Sequence, residues 1–225
     1  MRIESFGRTN LKAKEHNPAM PTRCVIYDCD GVLFDSLEAN RALYNHIAVS
    51  MGRGPITEEE LRCCHTSTVR ESVHCLFKND PEGEARGLQF LSDEIDFRDY
   101  IPYLRMEPHV LETIATLKER GLLTAICTNR TTSMPHLMER FKLGPYFDMV
   151  MTALDVQHPK PHPESVERIL ARLAVPPEET LYVGDSEVDM KTALAAGVRF
   201  VSYKNEAIST GILITDHRDV LKFLA

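Results

Sequence analysis

Two aspartates, Asp28 and Asp30, stand two residues apart at the end of the apolar run Cys24-Val25-Ile26-Tyr27 and are followed at once by Gly31. Aspartate is depleted in strands, and carboxylates at i and i+2 lie on the same side and repel. A cation, a set of helix caps or solvent has to offset that repulsion. Three more stretches put polar residues where an apolar run stops: Thr128-Asn129 after "LLTAIC", Lys160 in "HPKPHPE", and Asp185 with Asp189 in "YVGDSEVDM". Carboxylates at 28, 30 and 185, a fourth at 189 and one lysine suit a hard, oxygen-liganded cation, most simply Mg2+. That ion keeps waters and bridges a phosphate, so an anionic phosphoryl substrate would complete the site.

Each stretch alone has a plainer reading. Asp and Gly favour turns, Thr and Asn cap helices, a single lysine is usually a solvated charge, and acids suit a helix N-terminus. Position in the fold decides between the readings. From about residue 104 the chain alternates helix and strand. "PHVLETIATLKERG" sets Val110, Leu111, Ile114 and Leu117 on one helical face, and "LLTAIC" reads as a strand buried on both sides. "MPHLMERFKLG" is helical and "YFDMVMTAL" strand-like. "PESVERILARLAV" is helical, "TLYVGD" a strand, "EVDMKTALAAG" a helix and "RFVSY" a strand; "ILIT" is one further strand before a final helix. Such alternation predicts an α/β fold around a parallel sheet, with ligands beyond the carboxyl ends of its strands. Asp28, Thr128-Asn129, Lys160 and Asp185 all fall there, so residues distant in sequence are expected at one sheet edge.

The first strand, over 23–28, is followed by about ninety residues without a convincing strand. "LEANRALYNHIAVSMG", "TEEELRCCHTS", "TVRESVHCLFKN" and the stretch from Glu84 to Leu104 read as helices. The expected organisation is an N-terminal surface extension over 1–20, a Rossmann-like α/β core over 21–36 and 104–225, and an inserted α-helical cap over 37–103.

Composition excludes several classes. The chain has 225 residues, 43% hydrophobic and 26% charged, as in ordinary globular proteins. No run approaches the roughly 18 apolar residues of a membrane span, and the N-terminus has no apolar signal core, so no membrane association and a cytoplasmic location are expected. A net charge of −7 argues against nucleic acid, which calls for a basic stripe. The six cysteines, at 24, 29, 63, 64, 75 and 127, form no paired metal spacing, and Cys63-Cys64 is no CxxC, so a reduced chain without a disulfide framework is expected.

Taken in order, "DCDGVLFDS", "ICTNR", "HPKPHPE" and "YVGDSEVDMKTALAAG" resemble the four motifs of the haloacid dehalogenase superfamily, over roughly residues 22 to 224. The resemblance is to the phosphatase branch with a helical cap after the first strand, the phosphoglycolate phosphatase and beta-phosphoglucomutase-like group. It implies that Asp28 attacks phosphorus to form an aspartyl-phosphate. Asp30 would then be the acid/base, with its backbone carbonyl on the metal. Asp28 and Asp185 would ligate Mg2+, and Asp189 would ligate or support through a bridging group. Thr128 and Asn129 would bind the phosphoryl group, and Lys160 would neutralise charge on it and on the nucleophile. These roles suit phosphoryl transfer, where positioning and charge stabilisation supply nearly all of the catalysis.

In such a family the cap closes over the site and contacts substrate. The segment "CCHTSTVRESV" is the expected contact region, with Arg70 holding a second anionic group; His65-Thr66 stand where the family usually has a glycine, which leaves the substrate's name open. The implied function is Mg2+-dependent hydrolysis of a small phosphorylated metabolite, of the phosphoglycolate or sugar phosphate class. A sugar phosphomutase and a catalytically silent binding protein on the same fold are the alternatives. Dehalogenation is disfavoured because that branch does not use the second aspartate, and phosphonate cleavage because Lys78, the one cap lysine, looks exposed. His158 and His162 read as turn surface and receive no role.

Overall fold

A computed structural model describes residues 21–65 and 69–224. The expected extension over 1–20 and Thr66 of the contact region lie outside them. Six parallel strands form the sheet: β1 (Cys24–Tyr27), β4 (Leu123–Cys127), β5 (Met149–Met151), β6 (Thr180–Gly184), β7 (Arg199–Tyr203) and β8 (Leu213–Ile214), in the order β5-β4-β1-β6-β7-β8. The Rossmann-like expectation holds. β1 lies at the centre, with Tyr27 level with Ile126 of β4 and Val183 of β6. The chain leaves β1 first toward β4 and later returns to its other side at β6, so the carboxyl end of β1 opens on the crevice where strand order reverses.

Alternation along the strands builds two cores. Val25 and Tyr27 face one apolar cluster, which includes Val110, Ile114 and Leu117 of α5 (Val110–Glu119). Cys24 and Ile26 face the other, with Val166, Ile169 and Leu170 of α7 (Glu164–Leu173). All of these side chains are at most 9% exposed, and full burial of each large aliphatic contributes about 1.5–3 kcal/mol. The remaining core helices are α6 (Met134–Arg140) and α8 (Glu187–Ala195), and the expected final helix is a 3-10 segment over His217–Phe223.

Between β1 and β4 stand α1 (Leu37–Ser50), α2 (Glu58–His65), α3 (Val69–Leu76) and α4 (Pro81–Asp93), packed around Leu43, Ile47, Leu61, Val73 and Phe77. Asp80 caps α4 by accepting the Gly83 N–H at 2.9 Å, and Pro81 opens it, so this helix starts earlier than its pattern suggested. The chain enters and leaves the helices through a short antiparallel pair, β2 (Phe34–Asp35) with β3 (Arg105–Met106). Two-residue strands carry no periodicity, so no strand is legible there in the sequence. Cys63 of α2 and Cys75 of α3 form a disulfide across a sequence separation of 12, correcting the expectation of a fully reduced chain. The two helices pack side by side, a proximity that local cysteine spacing does not register; Cys24, Cys29, Cys64 and Cys127 are free and buried. Among the described residues no helix is long and apolar enough to cross a membrane.

Candidate active site

Asp28 continues β1 by one residue, donating its N–H to the Val183 carbonyl at 3.0 Å, which places its side chain in the crevice. It is 8% exposed. Lys160 reaches it from the turn after β5, where Nζ donates to Asp28 Oδ1 at 2.7 Å and to Asp189 Oδ1 at 2.6 Å. The Tyr182 hydroxyl lies 3.2 Å from the same Nζ and 3.0 Å from Asp189 Oδ1. Asn129 clamps the lysine's own backbone, accepting the Lys160 N–H at 3.1 Å and donating to its carbonyl at 3.0 Å. The turn is thereby held against the end of β4, which turns an intrinsically mobile side chain into a fixed buried cation.

Asp189 sits in the first turn of α8 and is fully buried. Besides Lys160 and Tyr182 it accepts from the Ser186 hydroxyl at 2.5 Å and the Ser186 N–H at 3.2 Å, in a capping box that also starts the helix. Gly184 is required for this approach, because a Cβ there would run into Asp189. Asp185 follows β6 directly and faces Gly31, whose φ of +77° and contact with the Asp185 carboxylate both exclude a side chain.

Electrostatics mark the cluster as short of positive charge. Burial pushes Asp28 above the ordinary carboxylate range, Asp189 adds repulsion, and Lys160 offsets only part of this. Burial likewise pushes Asp185 up to about 8, with repulsion from Asp28 and Asp189 next in order. Lys160 stays protonated because the attraction of Asp189 and Asp28 overcomes its burial. Carboxylate oxygens of Asp28, Asp185 and Asp189 lie within 4.8 Å of one another. An all-oxygen set with uncompensated negative charge fits a hard divalent cation such as Mg2+.

Asp30 turns out of this cluster. Arg130 grips it with two parallel bonds, Nε to Oδ2 at 2.7 Å and Nη2 to Oδ1 at 2.6 Å. Thr128 is 3% exposed and accepts the Arg130 N–H on Oγ1 at 3.1 Å, tying the β4 strand end to the residue that holds Asp30. The structure therefore gathers Asp28, Lys160, Asp185 and Asp189 into one group and Asp30, Thr128 and Arg130 into its neighbour. Arg70 stands apart from both. It is exposed on α3 and lines a cavity of about 510 Å³ with Leu88, Leu91, Phe97, Thr131 and Thr132, between the inserted helices and the loop after β4.

Two residues of the site carry no functional signal in the sequence alone. Arg130 is part of "ICTNR", but its partner lies 100 positions away, so local spacing could not reveal it. Tyr182 reads as one more apolar strand residue, and only the pairing of β1 with β6 brings its hydroxyl to Lys160.

The chain is similar to known proteins over most of its length. The family model for haloacid dehalogenase-like hydrolases matches residues 25–203. A phosphoglycolate phosphatase of Salmonella typhi is 41% identical over 203 residues, covering 80% of this chain and 81% of that protein. A pyrophosphatase of Oceanobacillus iheyensis is 26% identical over 203 residues, covering 90% and 92%. A solved HAD-superfamily hydrolase of subfamily IA from Geobacter sulfurreducens superposes with a TM-score of 0.78 at 40% identity, over 91% of this chain and 97% of that one. With its motifs at the strand ends of the expected sheet, the chain belongs to the haloacid dehalogenase-like hydrolase family.

Proposed function

We propose that the chain is a Mg2+-dependent phosphatase that hydrolyses a small phosphorylated metabolite through an aspartyl-phosphate on Asp28. The observation that carries this reading is the buried Asp28 carboxylate held at 2.7 Å by Lys160 beside Asp185, at the carboxyl end of the central strand. Asp28, Asp185 and the Asp30 backbone carbonyl are the groups that would hold Mg2+, which supplies charge neutralisation to the phosphoryl oxygens when bound.

Lys160 orients Asp28 through one oxygen, and the other is assigned the attack on phosphorus. As the new P–O bond forms, the ester P–O bond breaks, and Asp30 gives its proton to the departing oxygen. A water then attacks the aspartyl-phosphate and passes its proton to Asp30, restoring both carboxyl groups and releasing phosphate. Both Asp30 oxygens are taken up by Arg130, so either proton transfer requires that pair to open toward the substrate. Thr128 donates its hydroxyl proton to a phosphoryl oxygen. Asp189 acts through Lys160 and Tyr182, because its own oxygens already accept four hydrogen bonds. The phosphoglycolate phosphatases among the relatives favour a substrate with a second, anionic end, and we assign its recognition to Arg70, the cation that lines the cavity beside the loop after β4.

The test is hydrolysis of an aryl phosphate and of phosphoglycolate, with Mg2+ and with chelator. Release of phosphate that needs Mg2+ and is abolished in Asp28→Asn is expected. Full activity in that variant would remove the nucleophile, and a strict requirement for a sugar bisphosphate would replace hydrolysis by a mutase.

A further inference from the structure

His158, His162 and Glu164 form a second group of ligating side chains, on the same turn as Lys160 but exposed or half-buried where Lys160 is buried. We propose that these three residues bind a borderline transition ion of the Zn2+ class, at a site separate from the carboxylate cluster.

Two imidazoles and one carboxylate are the donor types that Zn2+ takes in three-ligand sites, with a remaining position left to water. One ligand atom from each residue lies within 4.8 Å of the other two. Ligand atoms about 2 Å from a tetrahedral ion stand roughly 3.3 Å apart, and His158 Nδ1 is already 3.1 Å from Glu164 Oε2. The two rings lie beside each other with centroids 4.7 Å apart. His162 Nδ1 accepts the Glu164 N–H at 3.2 Å, which orients its ring beside Glu164.

The carboxylate is held ready. Glu164 accepts the Gln157 N–H on Oε1 at 3.1 Å and the His158 N–H on Oε2 at 2.9 Å, while Arg168 takes Oε1 at 2.6 Å. Those bonds, the Gln157 N–H first among them, hold its carboxyl down at about 2, so the carboxylate is ionised near neutral pH. Oε1 is taken by Gln157 and Arg168, whereas Oε2 keeps one N–H and can exchange its contact with His158 Nδ1 for the ion, so Oε2 is the ligand atom. Pro159, Pro161 and Pro163 alternate with the ligands and fix φ at three points, so less backbone entropy is lost on closing the site. The site stands whether or not the carboxylate cluster hydrolyses phosphate esters.

The experiment is calorimetric titration of ZnCl2 into the full chain at saturating Mg2+ and about pH 7.5, for the unmodified protein, His158→Gln, His162→Gln and Asp185→Asn. Thermal melts establish that each variant is folded. One bound Zn2+ is expected, with affinity lowered at least about tenfold in each histidine variant and retained in Asp185→Asn. Absence of binding, or affinity unchanged in both histidine variants, would overturn the site. Loss confined to Asp185→Asn would also overturn it, by placing the ion in the carboxylate cluster.

Discussion

Lys160→Met removes the cation on which the buried carboxylates depend while keeping most of the side-chain volume. The side chains of Lys160, Asp28 and Asp189 are 4%, 11% and 0% exposed. Removing one partner of a buried ion pair costs about 3–5 kcal/mol, because the charge left behind is no longer compensated. Asp189 keeps Tyr182 and both Ser186 donors, so Asp28 carries most of the loss. For a domain of this size 1 kcal/mol corresponds to roughly 2–4 °C, which gives a fall in Tm of roughly 6–20 °C in chelator. On the proposed reading, Mg2+ held by Asp28 and Asp185 would restore part of the missing positive charge. The ion should therefore raise Tm further in the variant than in the unmodified protein. Activity on an aryl phosphate should fall roughly 100- to 1,000-fold, the usual effect of deleting one preorganised electrostatic contact. Differential scanning fluorimetry with and without Mg2+ supplies the readout. A Tm within about 2 °C of the unmodified protein in chelator would refute the reasoning, since Asp28 would then be compensated without Lys160.

Arg130→Gln leaves Asp30 without the group that positions it, and kcat/KM should fall about 10- to 100-fold, part of what general acid–base catalysis supplies. The loss should be larger for alkyl than for aryl phosphates, because poor leaving groups need the proton more; equal losses would make Arg130 a phosphate contact instead. His217 is fully buried and donates Nε2–H to the Val32 carbonyl at 2.9 Å; burial lowers its pKa from 6.5 to about 4. Between these values the unfolded chain binds more protons than the folded one. Stability should therefore decline as pH falls from about 6.5 to about 4, by about 3 kcal/mol in all. Urea melts across that range should show a shallower decline in His217→Gln, and identical slopes would show that His217 is not the group responsible.

The architecture and the placement of most candidate site residues are legible in the sequence because those residues sit at strand ends. An apolar run that stops at Asp28, Thr128 or Asp185 reports both a strand and the edge of a sheet, and Lys160 follows from a Pro-flanked turn in the same series. Contacts set by packing were not legible. The grip of Arg130 on Asp30 depends on two strand-end loops meeting, and the hydroxyl of Tyr182 reaches Lys160 through strand register rather than local pattern. Cys63 and Cys75 meet because α2 and α3 fold back on each other, which cysteine spacing in isolation does not encode. The final turn over His217–Phe223 lacks the length and periodicity that separate an α-helix from a 3-10 segment.

The most direct measurement is rapid-quench mass spectrometry of the enzyme during turnover of phosphoglycolate with Mg2+, followed by peptide mapping. A phosphoryl group on Asp28, formed before free phosphate is released and absent in Asp28→Asn, is the expected result. A phosphoryl group on another side chain, or turnover by the Asp28→Asn variant at the unmodified rate, would contradict the assignment of Asp28 as the nucleophile.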